Sequence, residues 1–209
     1  MNKQLLDEME NAVKETVTDK KIGVAFSGGV DSTLLAKLVK DMGYDIHLLT
    51  IGFQDSHDIN FAKEVNQILN FPHSISEIDP EKFKEVSQKI NQTIKSDNLS
   101  WNENSIAFYY VAELAQKNEK EMMVAINAVT AEFGVTMIQP FLLPNFIEYA
   151  KKISVSEKIH GPDDMQRKHP IRELAMDYGI PEVAAKKQKK ALQYGSKIHK
   201  SLLKSRKTS

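Results

Sequence analysis

The feature that most constrains the fold is an alternation of strand and helix patterns near the start of the chain. Apolar runs at 21–26 and 45–53 are typical of buried strands, and helical patterns follow them at 31–42 and 58–70. A third strand pattern covers 73–79. Alternating strands and helices usually form a parallel sheet that helices cover. The sequence therefore predicts an α/β fold, with a mostly parallel sheet and helices on both faces.

The rest of the chain is predicted to be mainly helical. Further helical patterns lie at 2–18, 80–93 and 104–118. The segment "MMVAIN", 122–127, is one more strand candidate. After about residue 140 no convincing strand pattern occurs, and helical patterns lie at 145–152, 170–178 and 181–194. We expect one domain over 1–209, of which 140–209 forms a helical C-terminal part that packs near the functional site.

Several single residues have expected places. Gly43 follows the helix at 31–42, where a left-handed residue commonly ends a helix, and Asp58 is placed to cap the next helix. The segment "LSWNENS" predicts a loop, in which Asn102 and Glu103 are candidate substrate contacts. The histidines show no metal-ligand spacing and are expected to be surface or packing residues: His47, His57, His160, His169 and His199.

The composition argues against several classes of function. The sequence contains no cysteine, which removes disulfides, thiolate zinc sites and thiol nucleophiles. The 28 basic residues balance 28 acidic ones, so a general polyanion binder is disfavoured and nucleic acid is not an expected partner. The polar start "MNKQLLDEMENAVKE" is unlike a signal or transit peptide, and no apolar run is long enough to span a bilayer. We expect a cytoplasmic location and no membrane partner.

The turn "SGGVDS", Ser27–Ser32, is the strongest candidate for a binding site. It follows the first strand, and ligands of open parallel sheets bind beyond the carboxyl ends of the strands. Gly28 and Gly29 let the backbone turn sharply and approach a ligand. The free amides that open the following helix favour an anion, and the two serines add hydroxyl donors. The turn therefore predicts a phosphate site.

Asp31 needs a separate explanation because a carboxylate repels phosphate. A magnesium ion that bridges Asp31 to the phosphates supplies one, since Mg²⁺ prefers carboxylate and phosphate oxygens. The alternative is a plain strand-to-helix turn in which Ser27 or Asp31 only caps the helix. No lysine follows the glycines as in the Gly-x-x-x-x-Gly-Lys-Ser/Thr loop. The complete Ser-Gly-Gly-x-Asp-Ser pattern favours the phosphate interpretation.

The same six residues resemble the pyrophosphate loop of the ATP pyrophosphatase superfamily. Its members cleave ATP between the α and β phosphates and transfer AMP to a carboxylate or amide oxygen. Asparagine, GMP and NAD synthetases and tRNA-modifying enzymes share the loop. The resemblance implies an adenine nucleotide alpha hydrolase-like fold, with ATP and Mg²⁺ as cofactors and Asp31 as metal ligand. The residues that it implies at the nucleotide are Ala25, Phe26, Ser27, Gly28, Gly29, Val30, Asp31 and Ser32.

Two longer stretches resemble the synthetase domain of asparagine synthetases. In 48–79, Ile51-Gly52-Phe53, Asp58 and His73 match a strand that ends in Val-Gly-Phe, an Asp and a strand-opening His. This match implies that Ile51 and Gly52 line the adenine site. In 168–196, Lys189 matches the lysine at the family's reaction centre, Lys187 the preceding arginine, and Arg172 the arginine of a Leu-Arg pair. In "QPFLLPNF", however, Leu143 replaces the aspartate of the family's Pro-Phe-Leu-Asp.

One family segment, Gly-x-Gly-Ala-Asp-Glu-Leu-Phe-Gly-Gly-Tyr, has no clear counterpart. Its Asp holds the second side of the magnesium site, and only Glu132 and Phe133 resemble it here. We prefer to match "AVTAEFGVTMIQPFLL" to the segment before Pro-Phe-Leu-Asp, which implies that tens of residues between about Gln116 and Glu121 are absent relative to the family. That match would make 122–133 helical, against the strand pattern there.

The resemblance implies an ATP-dependent ligase that adenylates aspartate or a similar carboxylate and then amidates it with ammonia. Its catalytic residues would be Lys189, Asp31 and Arg172. The chain has no cysteine for a glutaminase, so ammonia would come free or from a separate glutaminase subunit, and a homodimer is a further expectation. Two alternatives stay open. One is a tRNA-modifying or other amide-forming enzyme, which the basic run from Lys186 to Lys207 suggests, and the other is a nucleotide-binding protein with weakened catalysis.

Overall fold

Twelve α-helices and four strands make up the part of the chain that the structure describes. The computed structural model describes residues 2–96, 98–118, 121–122, 127–188 and 190–207. The helices in the first two thirds are α1 (Lys3–Thr16), α2 (Val30–Asp41), α3 (His57–Leu69), α4 (Pro80–Ile94), α5 (Leu99–Lys117) and α6 (Asn127–Thr130). Those of the last third are α7 (Pro144–Lys152), α8 (Val155–Lys158), α9 (His169–Asp177), α10 (Glu182–Lys186), α11 (Leu192–Gly195) and α12 (Ile198–Lys207).

The strands form one parallel sheet. They are β1 (Lys21–Ala25), β2 (Asp45–Gly52), β3 (His73–Glu77) and β4 (Glu121–Met122), in the order β3-β2-β1-β4. The chain runs outward from β1 to β3 and then returns to the other side of β1. The strand order thus reverses beside the carboxyl end of β1, which is where ligands of such sheets bind. The predicted parallel sheet is confirmed.

Alternating side chains of β2 enter two separate cores. Ile46 and Leu48 pack in one core with α1 and α2, whereas Leu49 and Ile51 pack in the other with α4 and α5. Successive side chains of a strand point to opposite faces, so a strand buried on both faces carries an almost continuous apolar run. This explains "LLTI" in β2 and confirms helices on both faces of the sheet.

Two helix starts differ from the prediction. Ser56 occupies the N-cap of α3, so Asp58 lies in the first turn and does not cap the helix. Helix α5 begins at Leu99 and is capped by the Asn98 side chain, which accepts from the Trp101 amide. Trp101, Asn102 and Glu103 are therefore helical, and the predicted loop ends earlier than expected. Gly43 follows the end of α2 with φ 87°, as predicted.

Two further segments also differ. The helical pattern at 181–194 is divided into α10 and α11, with non-helical backbone at 187–188 and 190. The pattern at 122–133 combines both expectations, because β4 covers 121–122 and α6 and a 3-10 turn cover 127–133. The intervening 123–126 lie outside the described residues.

The C-terminal helices lie against the elements that form the edge of the sheet. Helices α9 and α10 pack on α2, and α11 packs on α3 and α5. The backbone of Phe53, just after β2, donates a hydrogen bond of 3.0 Å to the Ser196 carbonyl. The segment after α10 is thereby held beside the carboxyl ends of β1 and β2. No helix among the described residues is long and apolar enough to cross a membrane.

Candidate nucleotide site

The serines of the turn after β1 form hydrogen bonds with the backbone of the same turn. The Ser32 hydroxyl donates to the Gly29 carbonyl at 3.2 Å and accepts from the Ser27 amide at 3.3 Å. The Thr33 hydroxyl also donates to the Gly29 carbonyl, at 2.8 Å. Gly29 is the N-cap of α2, and no side chain among the described residues caps it. The first amides of α2 therefore remain available to an anion, as the sequence predicted.

Gly28 is required at its position for two reasons. Its φ is +73°, a conformation that side chains rarely adopt. A Cβ there would also lie 3.0 Å from the ring and the carbonyl oxygen of Phe61 in α3. The turn is consequently pressed against α3, which places first-turn residues of α3 beside it.

A small pocket of about 140 Å³ lies at this turn, and we call it the turn pocket. Its walls come from the turn itself, from the first part of α3 and from the segments around α9 and α10. The lining residues that carry the argument are Ser27, Gly29, Asp31, Ser32, Asp58, Phe61, Lys168, Arg172, Lys187 and Lys190. The structure thus brings the predicted turn together with residues almost 160 positions away.

Asp31 forms an ion pair with Lys168. The Lys168 Nζ lies 2.5 Å from the Asp31 Oδ2, and the side chain of Asp31 is 58% exposed. Exposed ion pairs contribute at most about 1 kcal/mol, so this pair is easily exchanged for other partners. The Asp31 carboxylate and the hydroxyls of Ser27 and Ser32 line the same pocket, and oxygen ligands of this kind fit Mg²⁺.

Two further lysines line the turn pocket. The Nζ of Lys187 sits 3.8 Å from the centroid of the Phe61 ring, a cation–π contact that fixes its direction. Lys190 lines the same pocket as Asp31. The predicted catalytic residue Lys189 lies outside the described residues. The described cations of this segment therefore already supply positive charge at the turn.

Asp58 is one of the site residues that the sequence analysis did not identify, as are Lys168 and Lys190. Asp58 is 4% exposed, and its Oδ2 has no hydrogen-bond partner among the described residues. Burial raises the pKa of Asp58 to about 7, although nearby Lys190 and Lys187 oppose the shift. Gly195 packs directly on this carboxylate, because a Cβ there would lie 1.9 Å from the Asp58 Oδ1. Buried carboxylates with raised pKa values concentrate at functional sites.

His57, next to Asp58, is also affected by this environment. Its Nδ1 lies 3.3 Å from the Asp58 Oδ1. Burial lowers the pKa of His57, and the charges of Lys187 and Lys190 lower it further. Since a lowered pKa favours the neutral imidazole, His57 adds little charge to the pocket at neutral pH.

Arg172 organises the backbone around the turn pocket. It is 6% exposed, and its guanidinium donates hydrogen bonds to the carbonyls of Gln166, Arg167 and Ala185. Five donors in a fixed fork suit such a clamp. The side chain lines the pocket, but its hydrogen bonds mainly tie the residues just before Lys168 and the end of α10 to α9. We therefore expect a positioning role for it.

The remaining predicted nucleotide residues lie at strand ends. Phe26 is buried, and its amide donates to the Leu49 carbonyl at 2.8 Å. Ala25 is half-buried, and the side chain of Ile51 is buried in the core. A contact between Ile51 or Gly52 and a base would thus use backbone atoms.

A buried hydrogen-bond chain connects these strand ends. The Thr50 hydroxyl donates to the Phe26 carbonyl at 2.6 Å and lies 2.8 Å from the His73 Nε2. Because the single hydroxyl hydrogen of Thr50 is already used, His73 must donate from Nε2. Burial is the main cause that lowers the pKa of His73 to about 4, so its ring is neutral.

The loop before α9 and the first residue of α9 form a cluster that the histidine spacing did not predict. The rings of His160 and His169 stack with centroids 3.6 Å apart, and the His169 Nε2 lies 2.6 Å from the Asp164 Oδ2. Both Asp164 oxygens also accept backbone amides, of His160, Gln166 and Arg167. These amide bonds hold the pKa of Asp164 well below its usual range. The cluster fixes the loop that carries Lys168.

Comparison with known proteins gives a consistent picture. The family model described as asparagine synthase matches residues 4–125 and 118–207. The two matched ranges overlap at 118–125, next to the place where the resemblance implies that tens of family residues are absent.

Three curated relatives show the range of identity and coverage among the matches. A putative asparagine synthetase [glutamine-hydrolyzing] of Methanocaldococcus jannaschii is 28% identical over 63% of this chain and 25% of its own. An uncharacterized protein of the same organism is 41% identical over 28% of this chain and 29% of its own. A tRNA-specific 2-thiouridylase of Fusobacterium nucleatum is 25% identical over 88% of this chain and 58% of its own. The matches thus cover from 25% to 58% of the length of these relatives.

Two solved structures share the fold. An NMN synthetase from Francisella tularensis has a TM-score of 0.54 at 18% identity, over 92% of this chain and 75% of that one. An NH3-dependent NAD synthetase from Campylobacter jejuni has a TM-score of 0.50 at 19% identity, over 99% of this chain and 82% of that one. At these identities the likeness establishes the architecture, and the chemistry must be argued from the site.

Proposed function

The chain belongs to the asparagine synthase family, and we propose that it is an ATP-dependent, AMP-forming ligase that makes an amide from a carboxylate and ammonia. The observation that carries the proposal is the turn pocket. Uncapped amides at the start of α2 and the cations of Lys168, Lys187 and Lys190 face one small space beside the switch point of the sheet. Such a set of donors suits a chain of phosphates.

The triphosphate would lie on the turn with its charge opposite the lysines. The proposed adenine site is the adjacent end of β2, where Ile51 and Gly52 offer backbone groups beside an apolar wall. Asp31, with the hydroxyls of Ser27 and Ser32 nearby, would hold Mg²⁺. When bound, Mg²⁺ would neutralise phosphate charge and favour departure of pyrophosphate. Lys168, released from Asp31, would then be free to turn to the phosphates.

The reaction would proceed in two displacements. A carboxylate oxygen of the acceptor attacks the α-phosphorus, and the bond to the bridging oxygen of the β-phosphate breaks, so pyrophosphate leaves. Ammonia then attacks the carbonyl carbon of the acyl-adenylate, AMP leaves with the bond electrons, and the nitrogen loses a proton. The described lysines stabilise the charge that builds on the phosphates, and Arg172 holds their backbone in place. Lys189 is proposed to act at the same centre.

Several finer features of the proposal follow from the family resemblance. Aspartate is the acceptor that the resemblance suggests, which would place the protein in asparagine biosynthesis. Ammonia would come free or from a separate glutaminase subunit. A cytoplasmic location and a homodimer are part of the same proposal.

The test is release of pyrophosphate from Mg-ATP in the presence of aspartate and ammonium. We expect Asp31→Asn to lower the rate at least about 100-fold, because the metal ligand and its charge are lost. Asp19→Asn is the matched control, since Asp19 is exposed just before β1, at the opposite edge of the sheet. Equal rates for the parent and Asp31→Asn would contradict the proposed role of the turn.

A second function is favoured by two observations. The run from Lys186 to Lys207 is rich in basic residues, and the thiouridylase relative aligns along most of the chain. A tRNA-modifying ligase would release pyrophosphate with tRNA but not with aspartate. The absence of cysteine argues against members that carry sulfur on their own thiol. Tight ATP binding without pyrophosphate release in either assay would instead support a nucleotide-binding protein with weakened catalysis.

A further inference from the structure

A large apolar cavity opens beside the turn pocket. It has a volume of about 1020 Å³, at the upper end of the range for small-molecule sites. Its walls come from α1, α7, the loop before α9 and the segment around α11. Apolar side chains make most of its surface, among them Leu5, Phe146, Ile153, Met165, Ile171 and Tyr194.

Two of these side chains are unusually exposed. Met165 is 68% and Tyr194 51% exposed, and both line the cavity. Exposed large apolar side chains that converge on one concavity usually mark a binding surface. The cavity would remain empty if only ATP and a small polar acceptor were bound.

The cavity and the turn pocket share one wall. Asp31, Lys168 and Lys190 line both spaces. Lys158 and Arg167 add two further cations on the cavity side. Among the described residues that line the cavity, Asp31 is the one acid, and it is already paired with Lys168. The shared wall is thus net cationic, and an anionic group there would lie next to the turn pocket.

These features do not suit aspartate. The ammonium group of aspartate would lie near four cations and one acid that is already paired. Its short side chain would leave most of the apolar surface in contact with water. A molecule with a carboxylate at one end and an apolar body satisfies both parts of the cavity. Burial of each methylene of such a body would strengthen binding about fourfold.

We propose that the acceptor carboxylate belongs to a molecule with a large apolar body, an aryl group or a chain of about eight carbons or more, which occupies this cavity. The carboxylate lies at the wall formed by Lys168 and Lys190, within reach of the α-phosphate. This inference rests on the proposed ligase activity and replaces aspartate as its acceptor, because it names the substrate class of the same site.

Calorimetric measurement of acid binding tests the inference independently of the proposed ligase reaction. The probes are straight-chain monocarboxylic acids from hexanoate to decanoate, each below its micelle concentration, and decanol as a control without charge. We expect saturable binding that strengthens about fourfold per methylene. Decanol should bind at least tenfold more weakly than decanoate, since it lacks the group that the cations attract.

A charge at the cavity mouth provides the matched variants. Met165→Glu places a carboxylate in the cavity at an exposed position, so the fold should tolerate it. Decanoate should bind at least tenfold more weakly to this variant, while Mg-ATP binding is unchanged. Val155→Glu is the control, because Val155 is 74% exposed and does not line the cavity. It should leave both affinities at the parent value.

Pyrophosphate release with the same acids is the second measurement. Release with decanoate and ammonium above that with aspartate supports the inference and the proposed function together. Length-dependent binding without release with any acid supports the ligand class but contradicts the proposed ligase. Release with aspartate, without binding of any longer acid, overturns the inference and leaves the proposed function standing. Equal decanoate binding to the parent and Met165→Glu also overturns it.

Discussion

Replacement of Asp58 by asparagine should stabilise the protein at alkaline pH. Asp58 is 4% exposed, has an Oδ2 without a hydrogen-bond partner among the described residues, and lies against Gly195. Its pKa is raised from 3.8 to about 7, chiefly by burial. The folded protein therefore holds this proton more tightly than the unfolded chain does. The stabilisation from Asp58 is complete below about pH 4 and is lost as the pH rises through about 7.

The magnitude follows from the shift. At 1.36 kcal/mol per unit, a change from 3.8 to about 7 corresponds to at most about 4 kcal/mol in the free energy of unfolding. Asparagine cannot ionise, so Asp58→Asn does not incur this loss. In a domain of this size that difference shifts the melting temperature by roughly 10 °C. Between pH 4 and pH 8.5 the parent should lose that much stability relative to the variant.

The assay is urea unfolding of both proteins at several pH values. The difference between them isolates Asp58, because the other titrating groups, including His73, are common to both. Asp163→Asn is the matched control, since Asp163 is exposed and its replacement should leave the pH profile of the parent unchanged. Parallel profiles of the parent and Asp58→Asn from pH 4 to 8.5 would refute the argument that Asp58 is buried and held neutral.

Two other predictions test neighbouring parts of the site. In nuclear magnetic resonance titrations, the His73 ring should stay neutral down to about pH 4. It therefore contributes stability that is complete above its unfolded pKa of 6.5 and is lost as the pH falls towards 4. Titration of the ring near pH 6.5 would contradict the buried hydrogen bonds through Thr50. Gly195→Ala should lower the free energy of unfolding by about 1–3 kcal/mol and weaken Mg-ATP binding, because its Cβ forces the Asp58 carboxylate to move. Gly134→Asn is its control: no atom lies within 4 Å of a Cβ there, and asparagine tolerates the positive φ. Equal ATP affinity in Gly195→Ala and the control would contradict the packing of Gly195 on Asp58.

The parts of the fold that depend on local sequence were predictable. Strands buried on both faces produce continuous apolar runs, and amphipathic helices produce apolar residues at helical spacing, so β1 to β3 and most helices could be located. The turn at Ser27–Ser32 was also visible, since its glycines and hydroxyls act within a few residues of one another.

The other half of the site depends on contacts that no local pattern encodes. Lys168 reaches Asp31 across 137 positions. The burial of Asp58 depends on Gly195, which lies near the other end of the chain. From the local sequence alone, Asp58 was therefore interpreted only as a helix cap. The sequence "EVAAKKQKKALQ" contains no glycine or proline, so it predicts one helix. The backbone nevertheless leaves the helix after Lys186, where Arg172 binds the Ala185 carbonyl and Lys187 turns to Phe61.

The most direct test of the account is to identify which phosphate bond of ATP is broken. Phosphorus nuclear magnetic resonance of a reaction with Mg-ATP, ammonium and an acceptor acid distinguishes the products. The account predicts AMP and pyrophosphate in equal amounts, formed only when an acid acceptor is present and not by Asp31→Asn. Formation of ADP and inorganic phosphate would contradict it, as would a folded sample that fails to bind Mg-ATP.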